Sequence, residues 1–167
     1  PLETCFYFGS HADYFVENLS GRYVDADQAK AIVKETQSKH GLVLQLSAGK
    51  NPSTVCMCCG DCCNMRLSLK KQPIPAKAAK SNYFITADTD DCIGCKACLD
   101  RCQMDAIKLK SEKVMIDYNR CIGCGACTFG CPNGTLVLEK KKKIDRYTPP
   151  ENLVEAYMDI AVERGKI

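Results

Sequence analysis

The chain has 167 residues, enough for one domain or two small ones, and its formal charge is +3. Fourteen cysteines and no tryptophan predict that metal centres, more than a large apolar core, organise much of the fold. Since no apolar run could cross a bilayer and no secretory signal is visible, we expect a cytoplasmic protein with reduced thiols and no membrane span. No helix-turn-helix signature or aromatic-interleaved basic patch occurs, so no nucleic acid is predicted as a partner.

Residues 1–50 predict a mainly helical N-terminal region. One helix is expected at Ala12–Leu19 and a second at Ala26–Lys39, because apolar residues recur there at helical spacing and a glycine follows each segment. The short apolar run Leu42–Leu46 predicts a strand. Since the sequence begins at Pro1 without a start signal, we expect this region to be part of a longer chain.

A Cys-dense segment opens residues 51–82, with five cysteines within eight residues. Crowded thiols lose protons beside a cation and become strong ligands for soft metals. A third iron–sulfur cluster is the favoured interpretation, since the cysteines outnumber what zinc needs; a structural tetrahedral zinc site and unligated thiols are the alternatives. The candidate ligands are Cys56, Cys58, Cys59, Cys62 and Cys63, with Cys5 as a distant candidate.

The rest of residues 51–82 predicts a helix followed by a linker. Asp61–Lys71 has apolar residues at helical spacing, and Asp61 is a suitable N-cap. The segment Gln72–Ser81 contains two prolines and predicts a linker.

Further along, four cysteines with the spacing C-x2-C-x2-C-x3-C occur twice at a constant offset. Three thiolates two residues apart can surround one cubane, whereas the fourth lies at a short helix directed away and ligates the other cluster. Zinc ribbons and disulfide frameworks do not predict such quartets. We therefore predict a crossed assignment: cluster I binds Cys92, Cys95, Cys98 and Cys131, and cluster II binds Cys121, Cys124, Cys127 and Cys102.

Residues beside these ligands repeat as well. Gly94 and Gly123 would let the backbone bend close to a cluster, and Ile93 and Ile122 are expected to exclude water from it. Gln103 follows the last cysteine of the first quartet, where this pattern usually has a proline. That departure predicts a different loop geometry at the first quartet.

The segments around the quartets predict short strands and helices, which gives an α+β fold class. Tyr83–Ala87 should be the opening strand and Leu136–Leu138 the closing one. Ile107–Leu109 and Val114–Ile116 should form a hairpin between them. Each half should also carry one short helix, Cys98–Cys102 and Cys127–Cys131.

Residues 83–140, with both quartets, resemble a bacterial-type two-cluster ferredoxin domain. The resemblance implies two [4Fe-4S] clusters and a ferredoxin-like domain of small antiparallel sheets and short helices. The whole chain is similar to the C-terminal part of anaerobic 4Fe-4S binding proteins that carry a C-C-x-x-C-C segment before such a domain. The matching residues are Pro1–Cys5, Phe8–Gly9, Ala12–Tyr14, Gly21–Arg22, Gly41–Val43, Cys56–Cys63 and both quartets.

Residues 141–167 predict a basic chain exit followed by a C-terminal helix at Glu151–Arg164. Its broad apolar face should pack on the preceding domain. That face comprises Leu153, Val154, Tyr157, Met158, Ile160 and Ala161.

These features predict an iron–sulfur electron-transfer protein that passes single electrons between redox partner proteins in an anaerobic setting. Two bound clusters would change the formal +3 to about −1, and a third to about −3. No motif for an enzymatic reaction is present, so we expect a carrier and not an enzyme. The alternatives are an electron-input subunit or domain of a larger oxidoreductase and an iron–sulfur or zinc redox sensor.

Overall fold

The computed structural model describes residues 3–167 and mixes short helices with small antiparallel sheets, an α+β arrangement. Pro1 and Leu2, quoted above for the family resemblance, lie outside the described residues. The chain divides into two compact units. The first unit runs from the start of the described chain to Lys34 and adds Leu44–Met57 and Thr148–Ile167; the second comprises Glu35–Val43 and Cys58–Tyr147.

The first sheet has three short strands in the order β1-β3-β2. Its strands are β1 (Cys5–Tyr7), β2 (Val43–Leu46) and β3 (Thr54–Cys58). β1 pairs antiparallel with β3, so that Cys5 is opposite Cys56. The sequence interpretation of residues 1–50 as mainly helical missed β1, because three residues are too few to show an alternating pattern.

Two helices of the N-terminal region lie close to their predicted positions. α1 spans Ser10–Glu17, and α2 spans Ala26–His40. α2 begins after Asp25, whose carboxylate accepts hydrogen bonds from the backbone N–H groups of Asp27 and Gln28 at 3.0 and 2.8 Å. Such an N-cap satisfies backbone donors that have no partner within the helix.

The C-terminal helix α6 (Leu153–Glu163) lies within the predicted range Glu151–Arg164. Val154 is 72% exposed and Met158 is 52% exposed, so the apolar face is largely open within the described chain. The segment before the helix is attached by its backbone instead: Gly49 donates to the Pro150 carbonyl at 2.7 Å, and Asn51 donates to the Glu151 carbonyl at 3.0 Å. The attachment therefore does not depend on the apolar side chains.

The second unit is built on two antiparallel strand pairs. β4 (Tyr83–Ala87) pairs with β7 (Leu136–Lys140), and β5 (Ile107–Lys110) pairs with β6 (Lys113–Ile116). The predicted hairpin and both predicted outer strands are present. Thiols take part in the buried core between them, which comprises Ile85, Cys98, Ile107, Val114, Cys127 and Leu136.

The helices of the second unit depart from the predictions in detail. α3 is Asn64–Lys70 and starts after Cys63, because Asp61 lies in the turn before it and does not cap it. The predicted linker contains a helical turn, α4 (Pro75–Ala78), whose proline is at the first helical position, where a missing N–H costs nothing. The short helices of the quartets are α5 (Ala97–Asp100) and a 3-10 turn at Thr128–Gly130. A second 3-10 turn is formed by Lys143–Asp145.

We predict that Gly123→Ala destabilises the protein far more than Gly134→Ala. Both glycines have positive φ, +63° and +67°, so each substitution strains the backbone similarly. A Cβ at Gly123 would lie 2.0 Å from the Tyr83 carbonyl oxygen, whereas at Gly134 it would meet nothing within 4 Å. The extra cost should be about 2 kcal/mol or more, which lowers the melting temperature by about 4–8 °C relative to Gly134→Ala. Anaerobic thermal unfolding followed by circular dichroism checks this, and equal melting temperatures would contradict it.

Candidate metal centres

Four thiols line a first cavity in the second unit, which we call site I. The cavity encloses about 350 Å³ not filled by protein atoms. Leu109, Val114 and Leu136 are among the apolar residues that line it. Gly94 also lines the cavity and has no room for a side chain, because a Cβ there would lie 2.8 Å from the Glu112 carbonyl oxygen. The thiols are those of Cys92, Cys95, Cys98 and Cys131.

A second cavity, site II, encloses about 420 Å³. It is lined by the first three cysteines of the second quartet together with the last cysteine of the first quartet. Each quartet thus contributes three thiols to one cavity and its fourth thiol to the other. The thiols of site II are those of Cys102, Cys121, Cys124 and Cys127.

Backbone N–H groups point at these sulfurs. The Cys102 Sγ accepts from the Ala106 N–H at 3.2 Å. Burial raises the pKa of Cys131, but hydrogen bonds from the Thr135 hydroxyl and from the backbone of Leu136, Thr135 and Asn133 bring it below its usual value. Such donors favour a thiolate, which is the form that binds a metal.

The two sites differ in how far they are shielded from water. Ile122 beside site II is 9% exposed, whereas Ile93 beside site I is 64% exposed, so the expectation that both isoleucines exclude water is wrong for Ile93. At site II burial raises the pKa of Cys124, and burial with neighbouring thiolates raises the pKa of Cys127 to about 12. Four thiolates in such a place need a strong positive counter-charge.

Both sites fit a [4Fe-4S] cluster by the chemistry of their donors. A cubane takes four thiolates, and each cavity brings four cysteines together. Site II also has Arg66, which is only 4% exposed and whose Nε has no hydrogen-bond partner among the described residues. A buried donor without a partner is costly unless an acceptor or an anion is placed beside it.

Gln103, in place of the expected proline, attaches the first quartet to its surroundings. Its side-chain amide donates to the carbonyl oxygens of Gly41 and Cys58, each at 3.1 Å. The neighbouring Arg101 donates to the carbonyls of Gln37 and Ser38 at 3.0 and 2.6 Å. A proline at position 103 has no donor and could not make these bonds.

The Cys-dense segment places two thiols and a carboxylate together. The Sγ atoms of Cys59 and Cys62 lie 3.0 Å apart, and the ligand atoms of Cys59, Asp61 and Cys62 all lie within 4.8 Å of one another. A hydrogen bond from the Cys59 thiol lowers the pKa of Asp61, while the same thiol raises the pKa of Cys62 to about 11. The sequence analysis named Cys59 and Cys62 as candidate ligands, but it expected Asp61 to cap a helix and missed the carboxylate.

The remaining cysteines of the segment make other contacts. Burial raises the pKa of Cys63, but hydrogen bonds from the backbone of Arg66 and from the Cys58 thiol bring it below its usual value. In the first unit, burial and the thiols of Cys5 and Cys56 raise the pKa of Tyr7. The strand register thus places Cys5 beside Cys56, an adjacency that the sequence did not reveal.

Residues 91–135 match the family model of the 4Fe-4S dicluster domain. This match supports a 4Fe-4S ferredoxin-type domain and an iron–sulfur electron-transfer function. It includes both quartets but not the Cys-dense segment or the first unit. No curated protein matches the chain. No described helix is both long and apolar enough to span a membrane.

We predict that Gln103→Glu destabilises the protein, whereas Gln72→Glu at an exposed position does not. The carboxylate would leave the carbonyls of Gly41 and Cys58 without their donor and would bring a negative charge against them. The loss should be about 2 kcal/mol or more, or about 4–8 °C in melting temperature. Thermal unfolding of the metal-loaded protein measures it, and a Gln103→Glu protein as stable as the Gln72→Glu control would show that these bonds contribute little.

Proposed function

We propose that this protein is a single-electron carrier with two [4Fe-4S] clusters, and that it exchanges electrons with redox partner proteins. The observation that carries the proposal is the presence of two four-thiol cavities in one compact unit. When bound, a [4Fe-4S] cluster accepts and releases one electron at a time. The chain's own task is to hold the clusters, shield them from water and set their potentials.

The proposed ligands follow the grouping of the thiols. Cluster I is held at site I, where Cys95 is exposed, so this is the side from which a partner can approach the thiols most closely. Cluster II is held at site II, where Ile122 and Met104 exclude water. An electron would therefore enter or leave at site I more readily than at site II.

The Cys-dense segment is proposed as a third centre that holds a single ion. Thiolates around one tetrahedral ion lie about 3.8 Å apart when each metal–sulfur bond is about 2.3 Å. The 3.0 Å separation of the Cys59 and Cys62 sulfurs is closer to that spacing than to the wider spacing of thiolates on different corners of a cubane. This favours zinc over the third iron–sulfur cluster that the cysteine count alone had favoured, with the carboxylate of Asp61, which lies within 4.8 Å of both sulfurs, as a further ligand.

Iron content of paired variants tests the crossed ligands. The wild-type protein, purified anaerobically, should bind about eight iron atoms, and Cys102→Ala should bind about four. Cys102→Ala with Cys124→Ala should still bind about four, because both substitutions affect site II. Cys102→Ala with Cys95→Ala should bind close to none, because one ligand is lost from each site.

The reverse pattern would contradict the crossed assignment. In an uncrossed arrangement Cys102 and Cys95 would share a cluster, so their double variant would keep about four iron atoms. Wild-type protein without iron would contradict the proposed function itself. In every case the number of iron atoms per chain is measured by elemental analysis.

The third centre has its own test. Replacing Cys59 and Cys62 together with serine should remove one zinc ion per chain and leave about eight iron atoms in place. Loss of about four iron atoms with no change in zinc would mean that the segment holds a cluster instead. An unchanged content of both metals would show that these two thiols bind neither.

A further inference from the structure

α3 contributes a buried cation to site II. Arg66 lies in the first turn of this helix and lines the same cavity as Cys102, Cys121, Cys124 and Cys127. Arginine is seldom fully buried unless it is paired, yet this side chain is only 4% exposed. The described chain offers no hydrogen-bond partner to its Nε.

The guanidinium of Arg66 belongs to the cavity that the four thiols of site II line. Within the described chain it forms no salt bridge with a carboxylate. Its charge is thus directed at thiolates and is not cancelled by a carboxylate.

The second arginine at this cavity is arranged differently. The terminal nitrogens of Arg101 donate to the carbonyl oxygens of Gln37 and Ser38 at 3.0 and 2.6 Å. The guanidinium of Arg101 therefore binds backbone carbonyls, whereas the Nε of Arg66 has no hydrogen-bond partner within the described chain. Lys96, which is exposed, is the only basic residue among those that line site I.

We propose that Arg66 sets the reduction potential of cluster II by donating a hydrogen bond and a positive charge to the cluster or its thiolates. The inference rests on the proposed function, since it requires that site II hold a cluster. Reduction adds one electron, supplied in the test by dithionite; no bond to the protein forms or breaks and no proton is taken up. The added negative charge is stabilised by a cation at short range in a place with little water.

Burial alone would oppose that reduction. Site II is more buried than site I. The low dielectric of a buried site disfavours additional negative charge. Arg66 counters this effect at site II only, because it lines that cavity and not the other. It is a positioning and tuning residue whose removal should change one potential and not both.

The test is a redox titration of the anaerobically purified full chain, followed by electron paramagnetic resonance. Arg66→Gln removes the charge but keeps a side-chain N–H, and it should lower the equilibrium constant for one-electron reduction of cluster II at least tenfold, or about 59 mV. The equilibrium constant for reduction of cluster I should stay within threefold of its wild-type value. Arg66→Lys, which keeps the charge, should also leave the equilibrium constant for reduction of cluster II within threefold of its wild-type value.

Two sets of variants serve as controls. Arg146→Gln makes the same chemical change at an exposed arginine that donates to the Lys141 carbonyl, outside both cavities, and should change neither potential. Cys98→Ser and Cys127→Ser each alter one ligand, so the signal that each one perturbs identifies the cluster at site I or site II.

The outcomes separate this proposal from the function on which it rests. Wild-type protein without iron would contradict the proposed function, whereas Arg66→Gln with about eight iron atoms and an unchanged cluster II potential would overturn the role of Arg66. An equal shift in Arg146→Gln would also overturn it. If Arg66→Gln binds less iron, the Arg66→Lys variant decides the question. An equilibrium constant for reduction of cluster II within threefold of wild type supports the proposal. A tenfold drop in that constant, despite the retained charge, overturns it.

Discussion

The exchange of one cysteine between the two quartets is the constraint on which the second unit depends. Because Cys102 lines site II and Cys131 lines site I, neither half of the repeat completes a site by itself. The thiols are also part of the buried core, with Cys98 and Cys127 packed among Ile85, Ile107 and Leu136. We therefore expect metal binding to stabilise the fold of this unit, as in other proteins whose ligands have no fixed arrangement when unfolded.

The two halves of the repeat are alike in sequence but unequal in surroundings. Ile93 is exposed beside site I, while its counterpart Ile122 is buried beside site II. The difference arises outside the repeat, since α3 and its Arg66 contribute to site II. Residues upstream of the ferredoxin-type domain thus give two similar motifs different electrostatic environments.

Much of the second unit could be predicted from the sequence, because cysteine spacing and short alternating segments are local signals. The strand Tyr83–Ala87 and the hairpin follow from them directly. Contacts between distant segments could not be predicted: β1 pairs with β3, and Gln103 donates to Gly41 and Cys58. Arg66 was missed because one charged residue in a short helix usually faces water.

In the proposed function, two clusters lie together in one unit and each accepts an electron. Electron paramagnetic resonance of the anaerobically purified, dithionite-reduced protein tests it most directly, because the spectrum reports both the number of reduced clusters and their proximity. We expect about two unpaired spins per chain, in a spectrum broadened by the interaction between the two centres. A spectrum without unpaired spins, from a protein that carries zinc in place of iron, would contradict it.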